Sequence, residues 1–370
     1  LSRSTNDKGA NAVNFLWRGD MSTRKRKLVS NDSLNQMQWY LGEETVEDFQ
    51  DGLISRRAML KRLIVICGGS AAAATVLTAC NVPVSAPPAA PAEKPAESQS
   101  TPSSSATATA PAAAEATTAA TRPPQPTPGP ATGPLTVPVD DPAVKGEDIS
   151  YKGAVDMLGY LARPTAEGTY PGVIVIHENR GLNDHIRDVA RRLAKAGYVA
   201  LAPDLVSRAG GGTAKLARDQ IGAALSQAKP EDLVSDLSAS VDHLLKQAGV
   251  KQGKVGVVGF CFGGAYTLRL AAANPNIGAA VCYYGVTPQP AAQMANTNAA
   301  ILGQYGGNDA RVNGTIPDLE KVLKDAGKTF EKNIYEGANH AFNNDTGANW
   351  NEQAAVTAWK ATLDWFGKNL

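Results

Sequence analysis

Four cysteines in 370 residues are too few for a disulfide framework. Cys67 and Cys80 belong to one N-terminal apolar stretch, which leaves only Cys261 and Cys282 for the rest of the chain. Charge of one sign is also lacking. The 36 Lys and Arg residues nearly balance 35 Asp and Glu residues, for a formal net charge of +1. That balance gives no reason to expect nucleic acid as a partner. A strongly apolar run of the roughly 20 residues that a permanent membrane span wants is missing too. From Asn81 to Pro142 there is no aromatic residue, and fourteen of the 23 prolines lie between Asn81 and Asp140. A segment so poor in apolar bulk cannot offset its ordering entropy. Residues 81–145 therefore read as an extended, disordered Pro/Ala/Ser/Thr-rich linker.

What precedes the linker reads as an address. "SRRAMLKR" carries the adjacent pair Arg56 and Arg57, followed by a Gly- and Ala-diluted apolar run from Leu63 to Ala79 and then Cys80. The run has the length of a signal-peptide core. "SRRAMLK" resembles the twin-arginine export signal, and "LTAC" resembles the lipobox of bacterial lipoproteins, whose cysteine is lipidated. Residues 55–80 are accordingly expected to direct export, with Cys80 as the lipidation site. The protein would then be anchored to the outer face of the cytoplasmic membrane or to the cell surface. Residues 1–54 form an N-terminal extension with Met21 as a candidate start. Within it "MQWYLGEETVEDFQDGLISRR" has the pattern of an amphipathic helix, and it precedes the expected cleavage point.

Residues 146–370 remain as one domain, enough for a single sizeable core. Apolar strand-like runs alternate there with helical ones. "GVIVIH", "YVALAPD", "KVGVVGF", "IGAAVCYYG", "AAILGQYGG" and "FEKNIYE" read as strands. "HIRDVARRLAKAG" puts Ile186, Val189, Ala190 and Leu193 on one helical face. "GTAKLARDQIGAALSQA", "PEDLVSDLSASVDHLLKQAG", the stretch from Phe262 to Ala273, "IPDLEKVLKDAG" and "NEQAAVTAWKATLDWFGKNL" read as further helices. Continuously apolar strands separated by helices predict a mostly parallel sheet covered on both faces. Chemistry in such a sheet gathers at the carboxyl ends of its strands.

Four strand ends carry candidate chemistry. In "GFCFGG", Gly259 and Gly263 flank Cys261 at two-residue spacing, the G-x-nucleophile-x-G pattern of a sharp strand-to-helix turn with Cys in place of Ser. A helix N-terminus there favours thiolate. "QYGGNDARV" places Asp309 after a later strand, and "YEGANHAFNN" places His340 after the last. Nucleophile, acid and base in that chain order match the α/β-hydrolase arrangement. The loop "VIHENRG" ends an earlier strand. His177, Glu178 and His185 do not have H-E-x-x-H spacing, so no metal is expected there. His243 lies within a helical pattern and reads as structural. The glycines fit neither a dinucleotide loop nor a P-loop, and no cofactor is implied.

On these motifs the domain resembles the dienelactone hydrolases (carboxymethylenebutenolidases), over nearly all of residues 146–370. The resemblance implies an α/β-hydrolase fold and cleavage of a small-molecule ester or lactone. It implies Cys261 as nucleophile, His340 as base and Asp309 as its orienting acid. Glu178 matches the family glutamate that contacts the thiol, and the N–H groups of Phe262 and Asn179 would form the oxyanion hole. The family's substrate-binding arginine shortly after the histidine is missing from "AFNND". Arg218 is a candidate for a second such arginine. The competing expectation is a non-catalytic, lipid-anchored binding module on the same fold. A redox-sensing thiol would want a resolving cysteine near Cys261, and Cys282, inside a strand, is a poor one.

Overall fold

The computed structural model describes residues 34, 36–50, 54–80, 82 and 133–370. All belong to one of the chain's two compact units, Leu34–Leu370. The candidate start at Met21 and the greater part of the Pro-rich linker lie outside the described residues.

Eight strands form one sheet: β1 (Val144–Lys152), β2 (Asp156–Pro164), β3 (Gly172–Ile176), β4 (Val199–Asp204), β5 (Val255–Phe260), β6 (Ile277–Tyr283), β7 (Ala300–Gly306) and β8 (Phe330–Tyr335). Their spatial order is β1-β2-β4-β3-β5-β6-β7-β8. From β4 to β8 every neighbouring pair is parallel, while β1 and β2 join antiparallel at one edge. Strands β3, β4 and β5 are buried at every residue, as continuous apolarity requires of a sheet covered on both faces. This is an α/β-hydrolase fold. After β3 the chain steps to β4 on one side, then crosses to β5 on the other. The ends of β3 and β5 therefore flank a topological switch point.

Three helices precede the sheet: α1 (Gln36–Gln50), α2 (Arg56–Cys67) and α3 (Ser70–Ala79). The expected amphipathic helix is α1. The apolar run is split between α2 and α3, which meet at a bend of 115°. Among the described residues no single helix is long and apolar enough to cross a membrane. The remaining helices are α4 (Asp184–Lys195), α5 (Arg218–Gln227), α6 (Pro230–Leu245), α7 (Phe262–Ala273), α8 (Ala310–Asn313), α9 (Ile316–Asp325) and α10 (Glu352–Asn369). The face predicted for α4 is real, since Ile186, Val189, Ala190 and Leu193 are all fully buried.

Two expectations need correction, and one pair of strands is additional to those expected. The candidate helix from Gly212 is helical as α5 only from Arg218, after a short 3-10 turn at Thr213–Lys215. The hairpin β1–β2 was not expected at all. The end of the linker is also not free. The described residues resume at Gly133, and Val137 is buried. Its N–H donates to Asp188 Oδ1 at 2.8 Å and its carbonyl accepts from Arg191 Nε at 2.7 Å. Two buried charged groups of α4 thus tie down a stretch whose composition alone looks unstructured.

Candidate active site

Cys261 connects β5 to α7 with φ 57° and ψ −117°. A non-glycine residue there is strained by roughly 1–3 kcal/mol. The turn is possible only because its neighbours lack side chains. A Cβ on Gly259 would sit 2.2 Å from the carbonyl oxygen of Gly263, and one on Gly263 would sit 2.3 Å from that of Ile176. Tyr284 and Ala341 are the other non-glycine residues with positive φ among the described residues. Both border the same site: the Tyr284 ring lies 5.0 Å from that of His340, and Ala341 follows His340 directly. Backbone strain of this kind clusters at active sites, ligand clamps and switch regions.

His340 stands on the loop after β8. Its Nδ1 lies 2.6 Å from Asp309 Oδ2. Asp309 follows β7, is buried, and accepts the N–H of Val312 through its other oxygen at 3.1 Å. That second bond fixes the carboxylate at the start of α8. The expected acid–base pair is therefore assembled.

Glu178, at the end of β3, is buried beside the site, but its partners differ from those expected. Its Oε2 accepts from Asn344 Nδ2 at 2.8 Å and its Oε1 accepts from the Tyr284 hydroxyl at 3.5 Å. The carboxylate bonded to the thiol comes instead from α1. Cys261 Sγ donates to Glu44 Oε2 at 2.8 Å. The other Glu44 oxygen pairs with Arg311 and lies 3.5 Å from His340 Nε2. Asn179 Nδ2 donates to Glu44 Oε2 at 3.4 Å. The Tyr40 hydroxyl lies 3.8 Å from Cys261 Sγ. Cys261 and Glu44 are each only 4% exposed. Phe262, the other candidate oxyanion residue, is the first residue of α7.

The electrostatics follow from this burial. Burial first, then Glu44, push the Cys261 thiol up to about 12. His340 moves the opposite way to what burial alone would do. The carboxylates of Glu44 and Asp309 hold its pKa well above the ordinary imidazole value. Burial also opposes ionisation of Glu44, but Arg311 and His340 keep its pKa low. Both shifts favour a neutral thiol and a protonated imidazole. Glu44, Cys261 and His340 bring ligand atoms within 4.8 Å of one another, a donor set that could hold a metal ion.

The other histidines are engaged elsewhere. His177 Nε2 accepts from the N–H of Leu205 at 3.1 Å, and its Nδ1 donates to the carbonyl of Glu178 at 2.6 Å. His185 Nδ1 lies 3.1 Å from Asp345, and His243 stacks on Tyr151. Arg218 begins α5 and lines a cavity with Asp48, Arg62 and Arg180. Sequence reasoning missed Glu44 and Arg311. Arg311 stands two residues after Asp309, in the very motif that singled out the acid.

The profile of the dienelactone hydrolase family matches residues 157–370. A "Putative carboxymethylenebutenolidase" of Methylorubrum extorquens is 34% identical over 218 residues, which is 56% of this chain and 75% of that protein. A protein of the same name from Escherichia coli K12 is 34% identical over 241 residues, 61% of this chain and 88% of its own. The crystal structure of a "Putative Dienelactone Hydrolase" from Klebsiella pneumoniae superposes with a TM-score of 0.57 at 33% identity. It covers 61% of this chain and 99% of its own. The chain belongs to the dienelactone hydrolase family.

Proposed function

We propose that the protein hydrolyses a carboxylic ester or lactone through Cys261, His340 and Asp309. The observation that carries this reading is the strained Cys261 turn facing an imidazole already oriented by a buried carboxylate. In the reactive state His340 takes the thiol proton and Sγ attacks the carbonyl carbon. The oxyanion is met by the N–H groups of Phe262 and Asn179, and loss of one such donor costs roughly 10²–10³ in rate in other hydrolases. The tetrahedral intermediate collapses, the C–O bond breaks, and His340 gives its proton to the leaving alkoxide. Water, deprotonated by the same imidazole, then cleaves the thioester and returns the thiol. Asp309 fixes the tautomer of His340 and stabilises the imidazolium. Glu178 adds to the charge that disfavours thiolate before substrate enters.

The test is turnover of a small activated ester such as p-nitrophenyl acetate. In any form of the chain that turns this ester over, Cys261→Ala should abolish turnover while keeping the melting temperature. Undiminished turnover in that variant would exclude Cys261 as the nucleophile.

The export reading belongs to the same proposal. Arg56 and Arg57 lead into the apolar run, and Cys80 closes it. Radiolabelled palmitate should enter the wild-type protein in a bacterial host and not the Cys80→Ala variant. Equal incorporation into both would exclude Cys80 as the anchor.

A further inference from the structure

Helix α1 does something at the active site that neither the family nor the export reading requires. Tyr40, Glu44 and Asp48 recur every four residues, so they lie on one face of the helix. Leu41 and Thr45 lie beside them, and Leu41 is 1% exposed. That face covers the strand ends. Glu44 touches the thiol of Cys261, the guanidinium of Arg311 and the amide of Asn179. One turn on, Asp48 lies 4.0 Å from Arg180 and 3.4 Å from Arg62 of α2. The Arg311 guanidinium also stands over the Tyr40 ring, 5.2 Å from its centroid. The two acidic side chains of this face meet basic groups of the catalytic domain, and the tyrosine fills the space beside the sulfur.

We propose that α1 is an autoinhibitory plug that occupies the substrate position of the catalytic site and must leave before a substrate can reach Cys261. The proposal rests on the reading of Cys261, His340 and Asp309 as a hydrolytic triad. A carboxylate of the chain itself stands against the sulfur, in the space an ester carbonyl would need. Glu44 also accepts the hydrogen bond of the S–H whose proton the imidazole would have to remove. The plug and the site are separated by 217 residues of sequence, and α1 lies on the N-terminal side of Cys80. The segment that the export reading removes is the segment that blocks the site. On that reading the enzyme is inactive as long as it carries its address and becomes active once the address is gone.

The full chain itself supplies the test, because it contains two reference thiols. Cys80 is partly exposed and Cys282 fully buried. Iodoacetamide labelling is followed peptide by peptide by mass spectrometry, and hydrolysis of p-nitrophenyl acetate is measured on the same samples. Three chains are compared: wild type, Leu41→Asp, which puts a charge into the buried face of α1, and the double variant Glu44→Gln/Asp48→Asn, which removes its two charges. In the wild type, Cys261 should label as slowly as Cys282. Either variant should raise its labelling at least tenfold with Cys282 still protected, and hydrolysis should rise with it. Wild-type labelling of Cys261 at the rate of Cys80, or no change in both variants, would overturn the plug. Faster labelling without any hydrolysis would support the plug and contradict the hydrolase reading. Full hydrolysis by the wild-type chain would do the reverse.

Discussion

Cys261 Sγ and Glu44 Oε2 are 2.8 Å apart, with the thiol donating. The contact joins the strained turn after β5 to a helix near the start of the chain. It adds to the effect of burial on the thiol, because a carboxylate beside it disfavours the thiolate.

The first prediction concerns pH. In the full chain the thiol is pushed up to about 12 by burial and Glu44, so Cys261 should alkylate appreciably only in alkaline solution. His340 is held protonated above its ordinary value by Glu44 and Asp309, against the effect of burial. Its raised pKa means that its pairing with α1 is complete below about pH 6.5 and is lost as pH rises through the folded value. Both effects make labelling climb on the alkaline side. Glu44→Gln removes the negative charge and should move the onset to lower pH. An unchanged profile of labelling rate against pH would separate Glu44 from the thiol.

Asp309→Asn should leave the fold intact and lower kcat by about 10³–10⁴-fold, by analogy with the acid of the serine-protease triad. The cause is the imidazole tautomer, since an amide can present its N–H group to Nδ1. Steady-state kinetics on the Leu41→Asp background read this without interference from α1.

Gly263→Ala should destabilise strongly. The added Cβ would meet the backbone oxygens of Ile176 and His177 at 2.3 and 2.6 Å, at the buried end of β3, which cannot yield. Overpacking of this kind costs roughly 1–3 kcal/mol or more. For a domain of this size that is a fall in melting temperature of about 2–12 °C. Calorimetry or a thermal shift assay would show it.

Asp345 stands five residues after His340 and ties that loop to α4. It accepts from Arg192 Nη2 at 2.6 Å and from the Thr136 hydroxyl at 3.0 Å, and pairs with His185 Nδ1 at 3.1 Å. Burial works against its ionisation, but His185 and Arg192 hold its pKa far below the ordinary carboxylate range. A group depressed in this way stabilises the fold above its unfolded pKa of about 4. The contribution is lost as pH falls below that value. Urea denaturation should show stability falling on acidification below about pH 4, and Asp345→Asn should flatten that fall. The same variant breaks a buried ion pair, which costs roughly 3–5 kcal/mol at neutral pH.

The parallel part of the sheet was legible because buried strands are continuously apolar and helices show their period. The candidate triad was legible because its members stand at strand ends in a fixed order. The hairpin β1–β2 was not, since β1 ("VKGEDISYK") is polar and largely exposed at the sheet edge, and its pattern resembles that of a loop. Gly133–Ala143 was assigned to the linker on composition, yet Asp188 and Arg191 hold it in place. Glu44 was illegible for a different reason. Its place beside Cys261 depends on a contact across most of the chain, and nothing in a local pattern reports which surface a short amphipathic helix will cover. Arg311 was in plain view, but only the packing of α1 shows where its guanidinium points.

The central claim is that Cys261 carries the acyl group. The most direct measurement is rapid acid quenching of the Leu41→Asp chain mixed with p-nitrophenyl acetate, followed by peptide mass spectrometry. The account predicts an acetyl thioester on Cys261, formed within the burst of nitrophenol release and missing from the Cys261→Ala chain. Turnover with no acyl group on Cys261, or with the label on another residue, would contradict it.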